Sequence, residues 1–316
     1  MVDVVILAGD PVKGGQSLKP FKSYYRFIYR ENYLCDRYKP LTLINLHGEE
    51  RPMLDYIIEA ASNMKSSDNI DVVCEKSLVE KELRNKQYSR HINYIQQDGS
   101  LLENTLKGYG NRKEHVLFLP ADIPKTKPQE LDDFVSKCLA FQEDYDFLAS
   151  AVAKESMPPD PRKIFRRRYA WMIDDCFDKE NPEYMGQNWF NKTIDFLTNV
   201  YAVLRRKKHL IAVSNPSRRG FRSGNIMFLN LSKMENQEGI NDLYSIRKLR
   251  DVGNIFRAAK KAFPEAVTYY RGRLTLSRFD DMISRFLKTR YKTIEITNSS
   301  VENDIDTEED LEDLEK

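Results

Sequence analysis

A hydrophobic run, Leu117-Phe-Leu-Pro120, ends in Ala121-Asp122-Ile123-Pro124, so a lone carboxylate leaves an apolar segment between two prolines. In open α/β sheets ligands bind outside the carboxyl ends of the strands, and an Asp emerging there is placed to hold a hard cation and a phosphorylated substrate. A strand followed by a proline-rich turn accounts for the same residues without chemistry. A second carboxylate source lies in Asn303-Asp-Ile-Asp-Thr-Glu-Glu309. In an extended segment Asp304 and Asp306 share one face and Ile305 takes the other. Asp306 with Glu309 three residues later matches an N-capping box. Asp304 has no such local employment and is the better second metal ligand beside Asp122.

Three further groups have types suited to a phosphorylated nucleotide. Gly9 follows an apolar run, and a glycine leaving a buried strand lets backbone N–H groups approach phosphates; Gly14 and Gly15 add to that capacity. The spacing is neither that of a P-loop nor that of a dinucleotide fingerprint. Lys39-Pro40-Leu41 supplies a mobile ammonium able to neutralise a triphosphate oxygen as a leaving pyrophosphate gains charge, although a solvated lysine before a turn also fits. Asp98-Gly99-Ser100, with Asn104 one turn further, can read a base edge and fix a ribose. Ser100 with Glu103 is equally a capping box, and both roles are compatible.

The elements that must position these groups alternate. Val2 to Ala8 is a short β-branched run, the pattern of a strand buried on both faces. Met53 to Met64 carries apolar residues on one helical face. Asn69–Cys74, His91–Gln96, Val116–Leu119 and Phe147–Val152 read as strands, with helices over Val79–Lys86, Leu101–Tyr109 and Pro128–Phe141 between them. This alternation predicts a mostly parallel, mixed central sheet flanked by helices, a Rossmann-like three-layer α/β fold. Residues 1–153 form the nucleotide-binding half, with a long aromatic and basic loop at 10–38. The alternation fails over 154–222, a basic excursion read as an inserted subdomain on the acceptor side. Residues 223–316 return as a strand over Gly224–Leu231, a largely helical region over about 240–290, a strand over Tyr291–Thr297 and a closing helix.

Composition narrows the classes. The 316 residues include 50 Lys plus Arg against 48 Asp plus Glu, too balanced for a protein that coats a polyanion, so nucleic acid is not an expected partner. The cysteines Cys35, Cys74, Cys138 and Cys176 form no C-x-x-C pair, which argues against a zinc site and a disulfide framework and for a reducing cytoplasm. No apolar run approaches the roughly 18–20 residues of a membrane span, and no basic leader precedes the first strand. An unsecreted protein without a membrane partner is expected. His47, His91, His115 and His209 are scattered, and none is assigned to catalysis.

Read in order, Val4-Val-Ile-Leu-Ala-Gly9, Lys39-Pro-Leu, Arg51-Pro-Met-Leu-Asp-Tyr56, Gly99 with Asn104, Pro120-Ala-Asp-Ile-Pro124, Ser223-Gly-Asn-Ile-Met-Phe228 and Asp304-Ile-Asp-Thr-Glu-Glu-Asp-Leu311 resemble the nucleotidyltransferases of the glycosyltransferase-A-like fold, especially MobA-like NTP transferases. The resemblance implies that Ala8, Gly9 and Lys39 hold a nucleoside triphosphate. Gly99 and Asn104 would contact the nucleoside, and Asp122 would coordinate Mg²⁺; Ser100 and Asp304 join them on the reading of the residues given above. It further implies attack by a small phosphorylated acceptor on the α-phosphorus with loss of pyrophosphate, and it places Gly224 and Asn225 against that acceptor. The chain departs from the family at its first loop, where Gly9 is followed by Asp10-Pro11 and Lys39 lies far downstream. Lys19-Pro20 stands nearer the usual distance, but the Gly48 turn and Arg51-Pro52 that accompany the family lysine follow Lys39.

Two other functions stay open at this level. A glycosyltransferase of the same fold would use a nucleotide-sugar donor and should show an Asp-x-Asp at a mid-chain strand end, where this chain has a single Asp122. A catalytically silent nucleotide-binding protein is compatible with the altered first loop. The arginine clusters at 162–168, 205–208 and 218–222 suit an anionic acceptor and are equally solvated faces.

Overall fold

The computed structural model describes residues 1–9, 38–46, 48–153, 156, 171–173, 220–241, 274–297, 300 and 304–305. Gly14, Gly15 and Lys19 of the first loop, the basic clusters at 162–168, 205–208 and 218–219, His47, His209 and Asp306 lie outside them. So do most of the helical region expected before residue 274 and the closing helix.

The sheet is built on β1 (Val2–Leu7), whose Val4, Val5 and Ile6 are fully buried. Val4 and Ile6 face one core and Val5 the other, the two-residue alternation of a strand covered on both sides. Around it lie β4 (Ser67–Cys74), β5 (Ile92–Gln96), β6 (Val116–Pro120), β7 (Phe147–Ala153), β9 (Gly220–Leu229) and β10 (Tyr291–Ile296), in the order β10-β7-β9-β6-β1-β4-β5. β1 pairs in parallel with β4 and β6, β4 with β5, and β10 with β7. β9 is antiparallel to β6 and β7, so the sheet is mixed and mostly parallel. A short strand, β8 (Trp171–Ile173), pairs with the first residues of β9. A separate hairpin, β2 (Leu43–Leu46) with β3 (Glu49–Pro52), turns at Gly48, whose φ of 85° is the left-handed region that glycine tolerates.

Helices cover both faces. On one, α1 (Met53–Ser62), α2 (Lys76–Glu82) and α4 (Pro128–Leu139) contribute Leu54, Ile57, Ile58, Val79, Leu131 and Phe134 to the larger core. On the other, α3 (Leu101–Tyr109) and α5 (Leu276–Leu287) add Tyr109, Ile283, Phe286 and Leu287. Gly108 is required for that layer, because a Cβ there would sit 2.4 Å from Val5 Cγ1. This is the expected Rossmann-like three-layer α/β fold with a mixed, mostly parallel sheet.

Two elements differ from expectation by more than two residues at an end. The helix expected over Val79–Lys86 spans Lys76–Glu82, with the buried Val79 on its inner face and the buried Leu83 as its C-cap. The strand expected over Gly224–Leu231 begins at Gly220, where it gains β7 and β8 as neighbours. Ser223-Gly224-Asn225 therefore lies in the interior of the strand.

Candidate functional site

The carboxyl ends of β1, β4 and β6 lie side by side, and the groups singled out by type gather there. β6 carries its pairing one step past the strand, with the Ala121 N–H given to Leu7 O at 3.2 Å. Asp122 follows at once. Lys39 heads a 3₁₀ turn, Lys39–Leu41, whose Pro40 is buried. Its Nζ lies 2.7 Å from Asp122 Oδ2, with the two side chains 23% and 27% exposed. Cation and carboxylate are both within reach of a solvent-borne ligand and neutralise each other in its absence.

The C-terminal segment arrives at the same place. The Ile305 N–H donates to the Asp122 carbonyl at 2.9 Å, and the Ile305 side chain packs with Ile44, Leu46 and Met53 of the hairpin and α1. That anchor brings Asp304, itself only 7% exposed, to the backbone position beside Asp122. Two carboxylates of this kind fit Mg²⁺, a hard cation usually held by one or two carboxylates with waters and substrate phosphates making up the octahedron. Among the described residues no group of three or more His, Cys, Asp or Glu is placed to hold a metal. Burial pushes the Cys74 thiol, at the end of β4, up to about 12, which removes it as a nucleophile at neutral pH.

A second cluster forms around Gly9. A Cβ at Gly9 would stand 2.8 Å from Asn104 Nδ2 and 2.9 Å from Gln97 Oε1, so two side-chain amides close on this glycine. Asn104 Oδ1 accepts the Asp98 N–H at 2.6 Å and holds the turn that contains the exposed Gly99. Ser100 is occupied as the cap of α3: its Oγ accepts from Glu103 N at 3.1 Å and Glu103 Oε2 accepts from Ser100 N at 2.7 Å. The backbone of Ala8 is also engaged, its N–H with Val73 O at 2.9 Å and its carbonyl with the Tyr38 hydroxyl.

Gly224 and Asn225 stand one strand over from β6. Because β9 is antiparallel to β6, residues preceding Met227 run toward the edge at which Asp122 emerges. β9 bulges there: Ala149 pairs with Met227 and Ala151 with Ser223, so Ser150 alone opposes Gly224, Asn225 and Ile226. The Ser150 hydroxyl fills the bulge, donating to Ile226 O at 3.1 Å and accepting from Ile226 N at 3.3 Å. A Cβ at Gly224 would fall 2.0 Å from Ser150 Oγ. Such bulges commonly re-aim side chains beside active sites.

Sequence reasoning missed Tyr38, Gln97 and Ser150. Tyr38 was visible only as one aromatic among many in the first loop, and Gln97 and Ser150 carried no signal. A polar cavity of about 170 Å³, lined by Arg51, Asp55, Glu59 and Lys86 among others, holds none of the site residues. There the fully buried Asp55 takes the Tyr88 hydroxyl at 2.6 Å and faces Lys86 Nζ at 2.9 Å. No helix among the described residues is long and apolar enough to cross a membrane.

No family model matches the sequence, and no curated protein matches it. The fold does match solved structures. A hypothetical transferase from Thermus thermophilus is 18% identical and superposes with a TM-score of 0.55, over 98% of this chain and 99% of that one. A CMP:2-keto-3-deoxy-manno-octonic acid synthetase complexed with CTP is 11% identical over 94% of this chain and 90% of its own, with a TM-score of 0.44. A 4-diphosphocytidyl-2C-methyl-D-erythritol synthase from Anaerococcus prevotii is 11% identical over 99% and 95%, with a TM-score of 0.41. At 18% identity the likeness to the first of these is one of fold alone.

Proposed function

We propose that this protein is an Mg²⁺-dependent nucleotidyltransferase of the MobA-like kind, moving an NMP from an NTP to a small phosphorylated acceptor with release of pyrophosphate. The observation that carries the reading is the Lys39–Asp122 pair at the carboxyl edge of the sheet, 2.7 Å apart and partly open to solvent. A cation suited to phosphate and a carboxylate suited to a divalent metal stand together where such folds bind ligands. That the solved chain sharing this fold is described as a hypothetical transferase agrees with the reading.

In this reading the triphosphate takes the Lys39 ammonium from Asp122, and Lys39 then neutralises charge that grows on the departing pyrophosphate. Asp122 and Asp304 would hold Mg²⁺, which would supply Lewis-acid neutralisation of the phosphate oxygens. Gly9 lets the nucleotide lie close to the strand end, with the Gln97 and Asn104 amides beside it to meet the polar edge of the base. The turn at Gly99, tied down through Asn104, forms the neighbouring wall. Asn225 on the β9 bulge faces the acceptor side and offers an amide to its hydroxyl or phosphate oxygens. The acceptor phosphate is the nucleophile, and catalysis rests on alignment and charge neutralisation without a covalent enzyme intermediate.

Thermal denaturation with ATP, GTP, CTP or UTP and Mg²⁺ tests the reading, since a ligand that binds only the native state raises its stability. One nucleotide should raise the melting temperature in wild type, and the rise should be lost in Asp122→Ala. Equal shifts in the two proteins would count against the assignment.

A further inference from the structure

The dipeptide Tyr38–Lys39 lies across the carboxyl ends of three neighbouring strands. Lys39 reaches Asp122 beyond β6. The Tyr38 hydroxyl donates to the Ala8 carbonyl beyond β1 and accepts the Glu75 N–H beyond β4 at 2.9 Å. β1 stands between the other two in the sheet.

The bond to Ala8 replaces a rung of the ladder. In a parallel pair, a residue that gives its N–H to one residue of the partner strand accepts at its carbonyl from the residue two further on. Ala8 gives its N–H to Val73 O at 2.9 Å, so its carbonyl is due the N–H of Glu75. The phenol oxygen stands in that bond instead, and β1 and β4 part around it. Tyr38 also anchors the turn that follows, since its carbonyl accepts the Leu41 N–H at 2.9 Å and the Lys39 carbonyl accepts the Thr42 N–H at 3.0 Å. Proline at position 40 fixes φ within that turn. These bonds fix the backbone from which the Lys39 side chain departs.

We infer that Tyr38 is a positioning residue, whose hydroxyl, wedged between β1 and β4, fixes the turn that delivers the Lys39 ammonium to Asp122 and to a triphosphate. The inference rests on the nucleotidyltransfer reading, which gives Lys39 to phosphate and Asp122 to metal. Without the hydroxyl, Glu75 N–H can close directly on the Ala8 carbonyl and the turn loses its tether. A less firmly held Lys39 competes less well with a divalent cation for Asp122. It also meets a triphosphate with more entropy to lose. The two affinities should therefore move in opposite directions, which a general loosening of the structure would not produce.

The experiment is calorimetric titration of wild type and Tyr38→Phe, first with Mn²⁺ alone and then with ATP, GTP, CTP and UTP in EDTA. The aromatic ring stays in its contact with the core, and circular dichroism with a melting curve checks that the variant is folded. Loss of one hydrogen-bonding hydroxyl predicts that Mn²⁺ binds roughly three- to tenfold more tightly and the preferred triphosphate about tenfold more weakly. Asp122→Asn should abolish the Mn²⁺ signal. Both affinities falling together, or neither changing, in a wild type that binds both ligands would overturn the role of Tyr38 alone. A wild type that binds neither ligand would overturn the functional reading and this inference with it.

Discussion

The Lys39 ammonium meets the Asp122 carboxylate at 2.7 Å although 83 residues separate them in the chain. Each is the partner the other would have to give up when ligands arrive. On the proposed function, a metal at Asp122 would displace Lys39 and a phosphate at Lys39 would release Asp122, so metal and triphosphate should bind with positive linkage. Titration of Mn²⁺ with and without the preferred NTP should show the affinity for each raised about 5- to 150-fold by the other. Lys39→Met, which removes the shared ion pair, should diminish that linkage.

Three glycines that look alike in the sequence should respond differently to alanine. At Gly9 the new Cβ meets only the ends of the Asn104 and Gln97 side chains, so Gly9→Ala should cost less than about 1 kcal/mol of stability while weakening nucleotide binding. At Gly108 it meets Val5 Cγ1 at 2.4 Å in the core, and Gly108→Ala should cost about 1–3 kcal/mol. Gly224→Ala places it 2.0 Å from Ser150 Oγ and 3.1 Å from Ser150 O, which should disrupt the β7–β9 bulge. Urea denaturation of the three variants, with nucleotide titration of the first, checks this ranking.

Ser100 has a measurable structural role whatever it does for a nucleotide. Its hydroxyl and Glu103 satisfy each other's backbone N–H at the start of α3, so Ser100→Ala should cost about 1 kcal/mol of stability. Asn104→Ala should cost the turn its tie to Asp98 N and weaken nucleotide binding as well. Comparing the two variants by denaturation and by nucleotide titration separates capping from recognition.

His115 gives a pH dependence remote from the site. Burial lowers its pKa below the ordinary 6.5, outweighing its bond to the Tyr145 carbonyl at 2.9 Å, and its ring stacks on Phe228 at 5.0 Å. The unfolded chain therefore takes up the proton first as pH falls. Stability present above about pH 6.5 is lost as the pH drops through the depressed folded value. Urea midpoints should fall between pH 7 and pH 5.5 by more in wild type than in His115→Gln; equal changes would remove His115 as a source.

The strand run Val2–Leu7 and the strand-end Asp122 were legible because a buried strand writes a continuous apolar run and its end writes a break. The Ser100–Glu103 cap was legible because capping is local. Tyr38 was not, since its partners Ala8 and Glu75 lie 30 and 37 residues away and nothing periodic marks a single bridging hydroxyl. Ser150 was hidden for a similar reason: its role exists only once β9 has bulged against β7. The start of β9 was misplaced because Gly220–Ser223 is polar enough to read as loop, and long-range pairing with β7 and β8 is what makes it strand.

The central claim is tested most directly by measuring pyrophosphate release with each NTP, Mg²⁺ and a panel of sugar phosphates and phosphorylated cofactor precursors, in wild type and Asp122→Ala. One NTP and acceptor pair should release pyrophosphate in wild type, with a fall of about 10²- to 10³-fold in the variant, on the order of the loss seen when a single charge-stabilising group is removed. Equal release by both proteins, or tight NTP binding with no release for any acceptor, would contradict the account.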